Sequence, residues 1–177
     1  MKNNLKKPKL LISPKLGVYS NLYKDIYFDK HHGIKETQHN FLKANNLASR
    51  FKKSNKFIIS ELGFGTGLSF LMTLKLWKKT KKPNAKLIFI SFESAPLTKI
   101  ELKQVYKCLK GLKTLSSQLI KKLPSIYQST HRLFFELENV ELILIYDDFN
   151  NLENFNFKAD AWFLDGFAPQ KNTSAWN

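Results

Sequence analysis

The sequence predicts an α/β fold built on a doubly wound, mostly parallel sheet. Two observations support this prediction. Four short apolar runs of strand length are separated by stretches in which apolar residues recur at helical spacing. An acidic residue lies at the end of each run, and a glycine-rich turn follows the first run. Because open α/β sheets bind ligands at the carboxyl ends of their strands, these features also predict a ligand crevice at that edge.

The first strand and the turn after it are the centre of the prediction. An apolar run at residues 57–59 leads into Glu61, and glycines follow at alternate positions up to Gly67. A helical repeat of apolar residues begins at Leu68. Glycines can adopt positive φ and let the backbone approach a ligand closely. The start of the helix adds free backbone N–H groups, so a small ligand can bind at this turn.

The spacing of the glycines narrows the class of ligand. The dinucleotide-binding fingerprint G-x-G-x-x-G would need a glycine where the chain has Leu68. The Lys-Ser/Thr pair of a phosphate-binding P-loop is missing from this turn as well. The remaining pattern, an acidic residue before three alternate glycines, resembles motif I of the S-adenosyl-L-methionine-dependent methyltransferases. The resemblance implies a ligand that lacks phosphate and carries an ammonium group, beside which an acidic residue is chemically reasonable. A tight turn without any ligand is the alternative that the motif leaves open.

Residues 86–93 predict the second strand, which ends at Glu93. A carboxylate at this position can accept hydrogen bonds from both hydroxyl groups of a ribose. The alternative is a solvated residue at the end of a strand.

Two helices are predicted between the second and third strands. Thr98 and Glu101 have the spacing of a capping box, and Gly111 is a natural helix end. A second short helix, at about residues 116–123, stops before Pro124 because proline cannot continue a helix.

The third and fourth strands complete the predicted sheet. Residues 140–145 form a strand that leads to Asp148, and the short link from residues 133–135 is either a hairpin or a strand extension. Residues 161–164 are continuously apolar, as expected for a central parallel strand covered on both faces. The four strands together place four carboxylates at one edge of the sheet: Glu61, Glu93, Asp148 and Asp165.

Length and charge indicate one basic domain. The chain has 177 residues, with 29 Lys and Arg against 14 Asp and Glu, which gives a formal charge of +15. Such a charge indicates either a polyanionic partner or a lysine-coated solvated surface. We expect residues 1–55 to be an N-terminal extension packed on the domain, with a turn into a helix at residues 33–42. Residues 56–177 would then form the domain itself.

The remaining composition predicts a cytoplasmic protein. Cys108 is the single cysteine, which excludes an internal disulfide and fits a reducing compartment. No apolar stretch approaches the length of a signal peptide core or a membrane span, so no membrane association is expected. His31 and His32 have no acidic or cysteine companions at ligand spacing, so no metal site is expected.

A longer motif at the end of the chain resembles a known family. Residues 160–169 read D-A-W-F-L-D-G-F-A-P and are followed by Lys171, Asn172 and Trp176. This run is similar to the signature of the MnmC N-terminal methyltransferase domain family (MnmD). The glycine turn and residues 33–42 match that family as well, so the resemblance covers nearly the whole chain. The chain departs from the family pattern at Gln38, Asp147 and Thr173.

The resemblance implies a Rossmann-like fold of the S-adenosyl-L-methionine (SAM)-dependent methyltransferases. It implies transfer of a methyl group from SAM to the aminomethyl nitrogen of 5-aminomethyl-2-thiouridine at the tRNA wobble position. Glu93 would then bind the ribose of SAM, Asp148 its adenine amino group, and Asp165 would face the reacting amine. The methionine part of SAM would lie against five residues of the turn: Glu61, Gly63, Gly65, Thr66 and Gly67. Substrate contacts would come from Phe167, Pro169 and Lys171.

The resemblance also implies partners and leaves two alternatives. The partners are tRNA and an FAD-dependent oxidoreductase domain or protein acting in the same pathway. One alternative is a basic tRNA-binding fragment without turnover, and the other is a SAM-dependent methyltransferase acting on another amine. The family fold continues through a helix and three more strands, whereas the chain stops at Asn177. We therefore expect an incomplete domain with low stability or a tendency to self-associate.

Overall fold

The computed structural model describes residues 5–8, 10–13, 17–29, 32–109, 111–147, 151 and 155–164. Its main feature is a five-stranded sheet in the order β6-β7-β5-β4-β8. Every neighbouring pair in it is parallel except β6 with β7. The prediction of a mostly parallel α/β sheet is therefore confirmed. The strands are β4 (Lys56–Leu62), β5 (Lys86–Phe92), β6 (Ser129–Phe135), β7 (Val140–Tyr146) and β8 (Ala161–Leu164).

The link before the third predicted strand is a hairpin. β6 pairs with β7 in antiparallel register, from Ser129 opposite Tyr146 to Phe135 opposite Val140. A short 3₁₀ turn, Glu136–Glu138, joins the two strands, and Asn139 closes it at φ 54°. Asparagine tolerates this left-handed conformation better than most residues, which explains how so tight a connection forms. The hairpin adds an antiparallel strand at one end of the sheet.

The helices lie close to the predicted positions, with differences at two of their ends. Thr98 and Glu101 form both hydrogen bonds of the predicted capping box. The helix after them ends at Tyr106, however, and not at Gly111 as predicted; the next helix begins at Lys113 rather than near Ser116. The α-helices are α1 (Gly33–Thr37), α2 (Leu47–Lys53), α3 (Leu68–Thr80), α4 (Lys99–Tyr106) and α5 (Lys113–Lys122), and a π-helical segment, Gln38–Lys43, follows α1.

The hydrophobic core lies on one face of the main sheet. Buried side chains of α2, α3, α4 and α5 cluster there with those of the strands, and Phe70 packs edge-on against Phe89 with ring centroids 5.2 Å apart. The opposite face has a smaller buried cluster that contains no helical residue among those described. Phe155 and Phe157, from the segment before β8, pack against that second cluster.

β8 differs from its prediction in one respect. In the described part of the chain it pairs with β4 alone and is the outermost strand. Its side chains alternate, with Phe163 fully buried while Trp162 and Leu164 are 39% and 55% exposed. The prediction of a central strand covered on both faces is therefore wrong for the described residues, because no described helix packs on the second face.

The N-terminal residues form a separate sheet that the sequence did not predict. Three antiparallel strands, β1 (Leu10–Ser13), β2 (Gly17–Ser20) and β3 (Asp25–Phe28), pair in that order. Val18 of β2 is fully buried in the same hydrophobic cluster as the main sheet. The Lys6 N–H donates to the Ser94 carbonyl at 2.8 Å, so this sheet lies beside the loop after β5. Within the described ranges, no helix has the length and apolar character needed to cross a membrane.

Candidate functional site

The carboxyl ends of β4 and β5 bring two of the predicted carboxylates to one edge of the sheet. Glu61 is next to last in β4 and stands opposite Ser91 of β5. Glu93 directly follows β5, and its N–H donates to the Ile145 carbonyl of β7 at 2.9 Å. The parallel register of the three strands therefore places the two carboxylates beside the glycine turn.

The turn after β4 is held in its shape by backbone hydrogen bonds. The N–H groups of Gly63 and Phe64 both donate to the Phe92 carbonyl, at 3.0 and 3.1 Å. Gly63, Gly65 and Gly67 all have positive φ, at 94°, 51° and 69°. A side chain would strain each of these positions, so the three glycines are required by the conformation of the turn.

Contacts around the glycines add a packing reason at two of them. A Cβ at Gly67 would lie 2.7 Å from Cζ of Phe64, which no real Cβ tolerates. A Cβ at Gly65 would lie 3.2 Å from Cδ1 of Tyr27 in the N-terminal sheet. The sequence predicted that a ligand lies close to the backbone of this turn. On the Cβ side of Gly65, the ring of Tyr27 occupies that place.

Glu93 fixes the glycine turn to the end of β5. Its carboxylate accepts the Gly65 N–H at 2.6 Å through Oε2 and the Ala95 N–H at 2.7 Å through Oε1. Burial raises the pKa of Glu93 above its ordinary value, while the hydrogen bonds from Gly65 and Ala95 act in the opposite direction. Since each carboxylate oxygen has a second lone pair, Glu93 can still accept hydrogen bonds from the hydroxyl groups of a ligand.

Glu61 is fully buried and has hydroxyl partners. Ser69, in the first turn of α3, donates to its Oε1, and Ser91 of β5 donates to its Oε2 at 2.7 Å. These bonds join β4, β5 and α3 behind the glycine turn. The sequence singled out Glu61 but missed Ser69 and Ser91, since serine in a strand or helix has no distinctive pattern of its own.

Thr66 is also buried and is held from the other side of the turn. Its carbonyl accepts a 2.7 Å hydrogen bond from the hydroxyl of Tyr106, at the end of α4. Burial raises the pKa of the Tyr106 hydroxyl above its ordinary value, so this group stays protonated and remains a donor. The turn is therefore bound to both β5 and α4.

Two tyrosines near Glu93 were not predicted as site residues. Burial, together with the charge of Glu93, raises the pKa of both Tyr27 and Tyr146 above the ordinary value. Tyr23 lies close by, with its hydroxyl 3.4 Å from Oγ of Ser94. The aromatic enrichment of residues 23–28 was the available signal, but nothing local connected it with a turn some forty residues later.

The other predicted site residues lie outside the described residues. Asp148 follows Asp147, which accepts 2.9 Å hydrogen bonds from Gln128 and Asn151. Asp165 follows Leu164, whose strand position is opposite Leu62 at the end of β4. Three further predicted residues are undescribed as well: Phe167, Pro169 and Lys171.

The described groups fit a ligand with hydroxyl and ammonium donors better than an anionic one. Glu61 and Glu93 are buried at the turn, and their carboxyl oxygens offer hydrogen-bond acceptors, whereas a phosphate needs donors. The N–H groups that a phosphate would need are already used at Gly63, Phe64 and Gly65. SAM carries a ribose, an ammonium group and no phosphate, so the donors and acceptors of this edge are compatible with it.

Comparison with known proteins agrees with this arrangement. Residues 110–177 match the family described as S-adenosyl-L-methionine-dependent methyltransferase. The tRNA 5-methylaminomethyl-2-thiouridine biosynthesis bifunctional protein MnmC of a Marinomonas species is 39% identical over 162 residues, which is 90% of this chain and 24% of that protein. The protein of the same name from Hahella chejuensis is 40% identical over 162 residues, or 89% of this chain and 26% of that protein. The chain thus spans about a quarter of the length of these curated relatives.

A solved structure has the same fold. The structure titled MNMC2 from Aquifex aeolicus superposes with a TM-score of 0.71 at 23% sequence identity. The match covers 97% of this chain and 54% of that one. The Rossmann-like methyltransferase fold that the sequence predicted is therefore confirmed.

Proposed function

Because this chain is a relative of the N-terminal quarter of the MnmC proteins and matches the SAM-dependent methyltransferase family at residues 110–177, we propose that it is a SAM-dependent tRNA methyltransferase. Its reaction is methylation of the aminomethyl nitrogen of 5-aminomethyl-2-thiouridine at the wobble position. The observation that carries the proposal is the buried Glu93 carboxylate bonded to the Gly65 N–H at the carboxyl edge of the sheet. This is the position where α/β folds bind a ribose.

In this proposal the glycine turn and its neighbours bind SAM. Glu93 accepts hydrogen bonds from the ribose hydroxyls, and Asp148 accepts one from the adenine amino group. When bound, SAM supplies a sulfonium methyl group that an amine can attack. The methionine part lies along Glu61, Gly63, Gly65, Thr66 and Gly67.

The substrate amine needs to lose a proton before it reacts. An alkylammonium group has a pKa near 10.4, so its neutral form is a minor species at neutral pH. We propose that the Asp165 carboxylate orients the ammonium group and assists its deprotonation. Phe167, Pro169 and Lys171 contact the base and its backbone. Alignment of the amine with the methyl group then supplies much of the acceleration, without a covalent enzyme intermediate.

The tRNA substrate is proposed from the names of the relatives, and the oxidoreductase partner is proposed from the family resemblance. The names describe bifunctional proteins for the biosynthesis of tRNA 5-methylaminomethyl-2-thiouridine. We propose tRNA as the substrate, the cytoplasm as the location and an FAD-dependent oxidoreductase, on the same or another chain, as the activity that prepares the amine.

The experiment that tests the proposal measures SAM binding and methyl transfer separately. Isothermal titration gives SAM affinity, and transfer of a labelled methyl group to tRNA containing 5-aminomethyl-2-thiouridine gives activity. We expect Glu93→Ala to lose SAM binding and Asp165→Ala to keep SAM binding while transfer falls at least a hundredfold. Glu136→Ala, which removes an exposed carboxylate, is the matched control and should leave both unchanged.

Two results would contradict the proposal. Folded wild-type protein that binds tRNA but shows no response to SAM would support an RNA-binding module without turnover. Transfer to small amines but not to tRNA would support a methyltransferase of another substrate class.

A further inference from the structure

Six lysines lie at the end of the sheet opposite the glycine turn. α2 ends at Lys53, β4 begins at Lys56 and α3 ends at Thr80, so these chain segments meet at the amino end of β4. The seven residues of β4 separate this place from the glycine turn by about 20 Å at roughly 3.3 Å per residue. We call the lysines the basic edge: Lys52, Lys53, Lys56, Lys79, Lys81 and Lys82.

Among the acidic groups near the basic edge, Asp160 accepts the Ile58 N–H at 2.8 Å, and three glutamates are paired with other lysines. Three glutamates lie at this end of the sheet, namely Glu136, Glu138 and Glu141. Their partners are Lys122 at 3.2 Å, Lys78 at 3.3 Å and Lys86 at 2.9 Å, respectively. Among the described residues, no ion pair includes a lysine of the basic edge. Within the described residues, the positive charge of the basic edge is therefore not neutralised by an ion pair.

Helix stability explains part of the basic edge but not all of it. Lys52, Lys53 and Lys79 lie in the last turns of α2 and α3, where a positive charge stabilises the helix dipole. Lys56 has no such role, because it is the first residue of β4 and its register partner is another cation, Lys86. Lys82 lies in the loop after α3. Lys86 is neutralised by its ion pair with Glu141, whereas Lys56 has no ion pair among the described residues, so neither strand pairing nor a helix dipole accounts for the charge of Lys56.

We propose that the basic edge binds the sugar–phosphate backbone of the tRNA substrate at a point away from the modified base. This inference rests on the proposed function, since it takes tRNA as the substrate. About 20 Å corresponds to roughly six stacked nucleotides at about 3.4 Å each, so one RNA can reach both edges of the sheet. Lysine contacts to phosphate add affinity without reading sequence. The contact holds the body of the tRNA while the wobble base reaches the glycine turn at the opposite end of the sheet.

The test compares two variants of the full chain that lose the same charge. The edge variant is Lys56→Gln, Lys79→Gln, Lys81→Gln and Lys82→Gln together. The control variant carries Lys35→Gln, Lys43→Gln, Lys103→Gln and Lys107→Gln, which are exposed lysines elsewhere. Fluorescence anisotropy with intact tRNA is measured over a range of salt concentrations.

We expect the edge variant to bind tRNA at least tenfold more weakly than wild type. The slope of the logarithm of the binding constant against the logarithm of the salt concentration should fall in magnitude by about 3, because four phosphate contacts are removed. The control variant should lose less than threefold. Equal losses in the two variants would mean that affinity follows net charge, and unchanged binding by the edge variant would mean that tRNA does not touch this surface. Either result overturns the proposal. Loss of binding to phosphatidylserine vesicles with no loss of tRNA binding would overturn it in favour of a membrane surface.

A second substrate separates this proposal from the proposed function. A trinucleotide with the aminomethyl uridine at its centre is shorter than the roughly six nucleotides that separate the two edges, so its methylation and the titrated SAM affinity should be the same in the edge variant and wild type. Absence of methyl transfer to either RNA by wild type, with weakened tRNA binding by the edge variant, would refute the methyltransferase and leave the basic edge standing.

Discussion

Gly67 combines two constraints at a single residue. Its φ is +69°, and a Cβ at this position would lie 2.7 Å from Cζ of Phe64 and 3.3 Å from Cδ2 of Leu119. We expect Gly67→Ala to lower the free energy of unfolding by at least about 2 kcal/mol, since backbone strain and a clash with a buried ring add together. Urea unfolding followed by circular dichroism measures the change, and SAM titration should show weaker binding.

Gly111→Ala is the control for the backbone part of this effect. Gly111 also has positive φ, at +77°, but the nearest atom to its Cβ position is Nζ of Lys75 at 3.6 Å. Its substitution should cost about 1 kcal/mol and leave SAM affinity unchanged. Equal losses at the two glycines would show that the contact with Phe64 is unimportant.

The residues of the site that could be predicted are those whose chemical type is unusual for their place. Glycines at alternate positions and acidic residues at strand ends stand out in a sequence, so Gly65, Glu61 and Glu93 were found. Their partners, Ser91 and Tyr27 among them, are ordinary residue types whose position is set by strand pairing. No local pattern reports such pairing.

Glu141 connects three strands of the main sheet. This buried residue of β7 accepts a 2.6 Å hydrogen bond from Nε of Arg132 on β6 and lies 2.9 Å from Nζ of Lys86 on β5. Burial opposes ionisation, but the hydrogen bonds from Lys86 and Arg132 prevail and hold the pKa of Glu141 below its ordinary value. The charged form is therefore the one that stabilises the sheet.

The sign of the pH dependence follows from this direction. A depressed pKa in the folded state contributes stability above the unfolded value, about 4.3, and that stability is lost as the pH falls through the folded pKa. We expect Glu141→Gln to lower the free energy of unfolding by about 1 kcal/mol at pH 7. This is a small loss for a charged hydrogen-bonded pair, because Lys86 and Arg132 are both partly solvated. At pH 3 the two proteins should converge in urea unfolding experiments. A stability loss of equal size at pH 7 and pH 3 would contradict the role of the charged Glu141 carboxylate. The control is Glu136→Gln, at an exposed ion pair, which should change the free energy of unfolding little at either pH.

Individual strands and helices could be predicted from the sequence, whereas the contacts between them could not. The strand before Glu93 and the capping box at Thr98 depend on neighbouring residues, and both are present. The N-terminal sheet was missed because its strands have four residues each, too few for a clear alternation. The early end of α4 was missed since Gly111 ends a loop there rather than a helix.

In the described residues, the glycine turn and the basic edge lie at opposite edges of the main sheet. Glu61 and Glu93 lie at the carboxyl edge, whereas the lysines of the basic edge, which have no ion pair among the described residues, lie at the amino edge, about 20 Å away by the length of β4. The sequence predicted the total charge of +15 but not this separation. The separation became visible once the register of β4 and β5 placed Lys56 and Lys86 side by side.

The N-terminal sheet contributes to the site from outside the main sheet. Tyr27 of β3 lies against Gly65, so we expect Tyr27→Ala to weaken SAM binding by about two- to tenfold through loss of one aromatic contact. Tyr19→Ala, on neighbouring β2, is the control and should leave SAM affinity unchanged. Calorimetric titration measures both. A loss no larger for Tyr27→Ala than for Tyr19→Ala would mean that the N-terminal sheet has no part in the site.

The bond between Glu93 and the Gly65 N–H spans 28 residues of sequence. The Phe92 carbonyl, which accepts from Gly63 and Phe64, lies as far along the chain. A nascent chain that has left the ribosome only through α3 therefore contains the glycine motif but has neither acceptor that shapes it. The glycine turn therefore takes its shape only when β5 docks beside β4, so during synthesis this shape appears with β5 and not with the glycine motif itself.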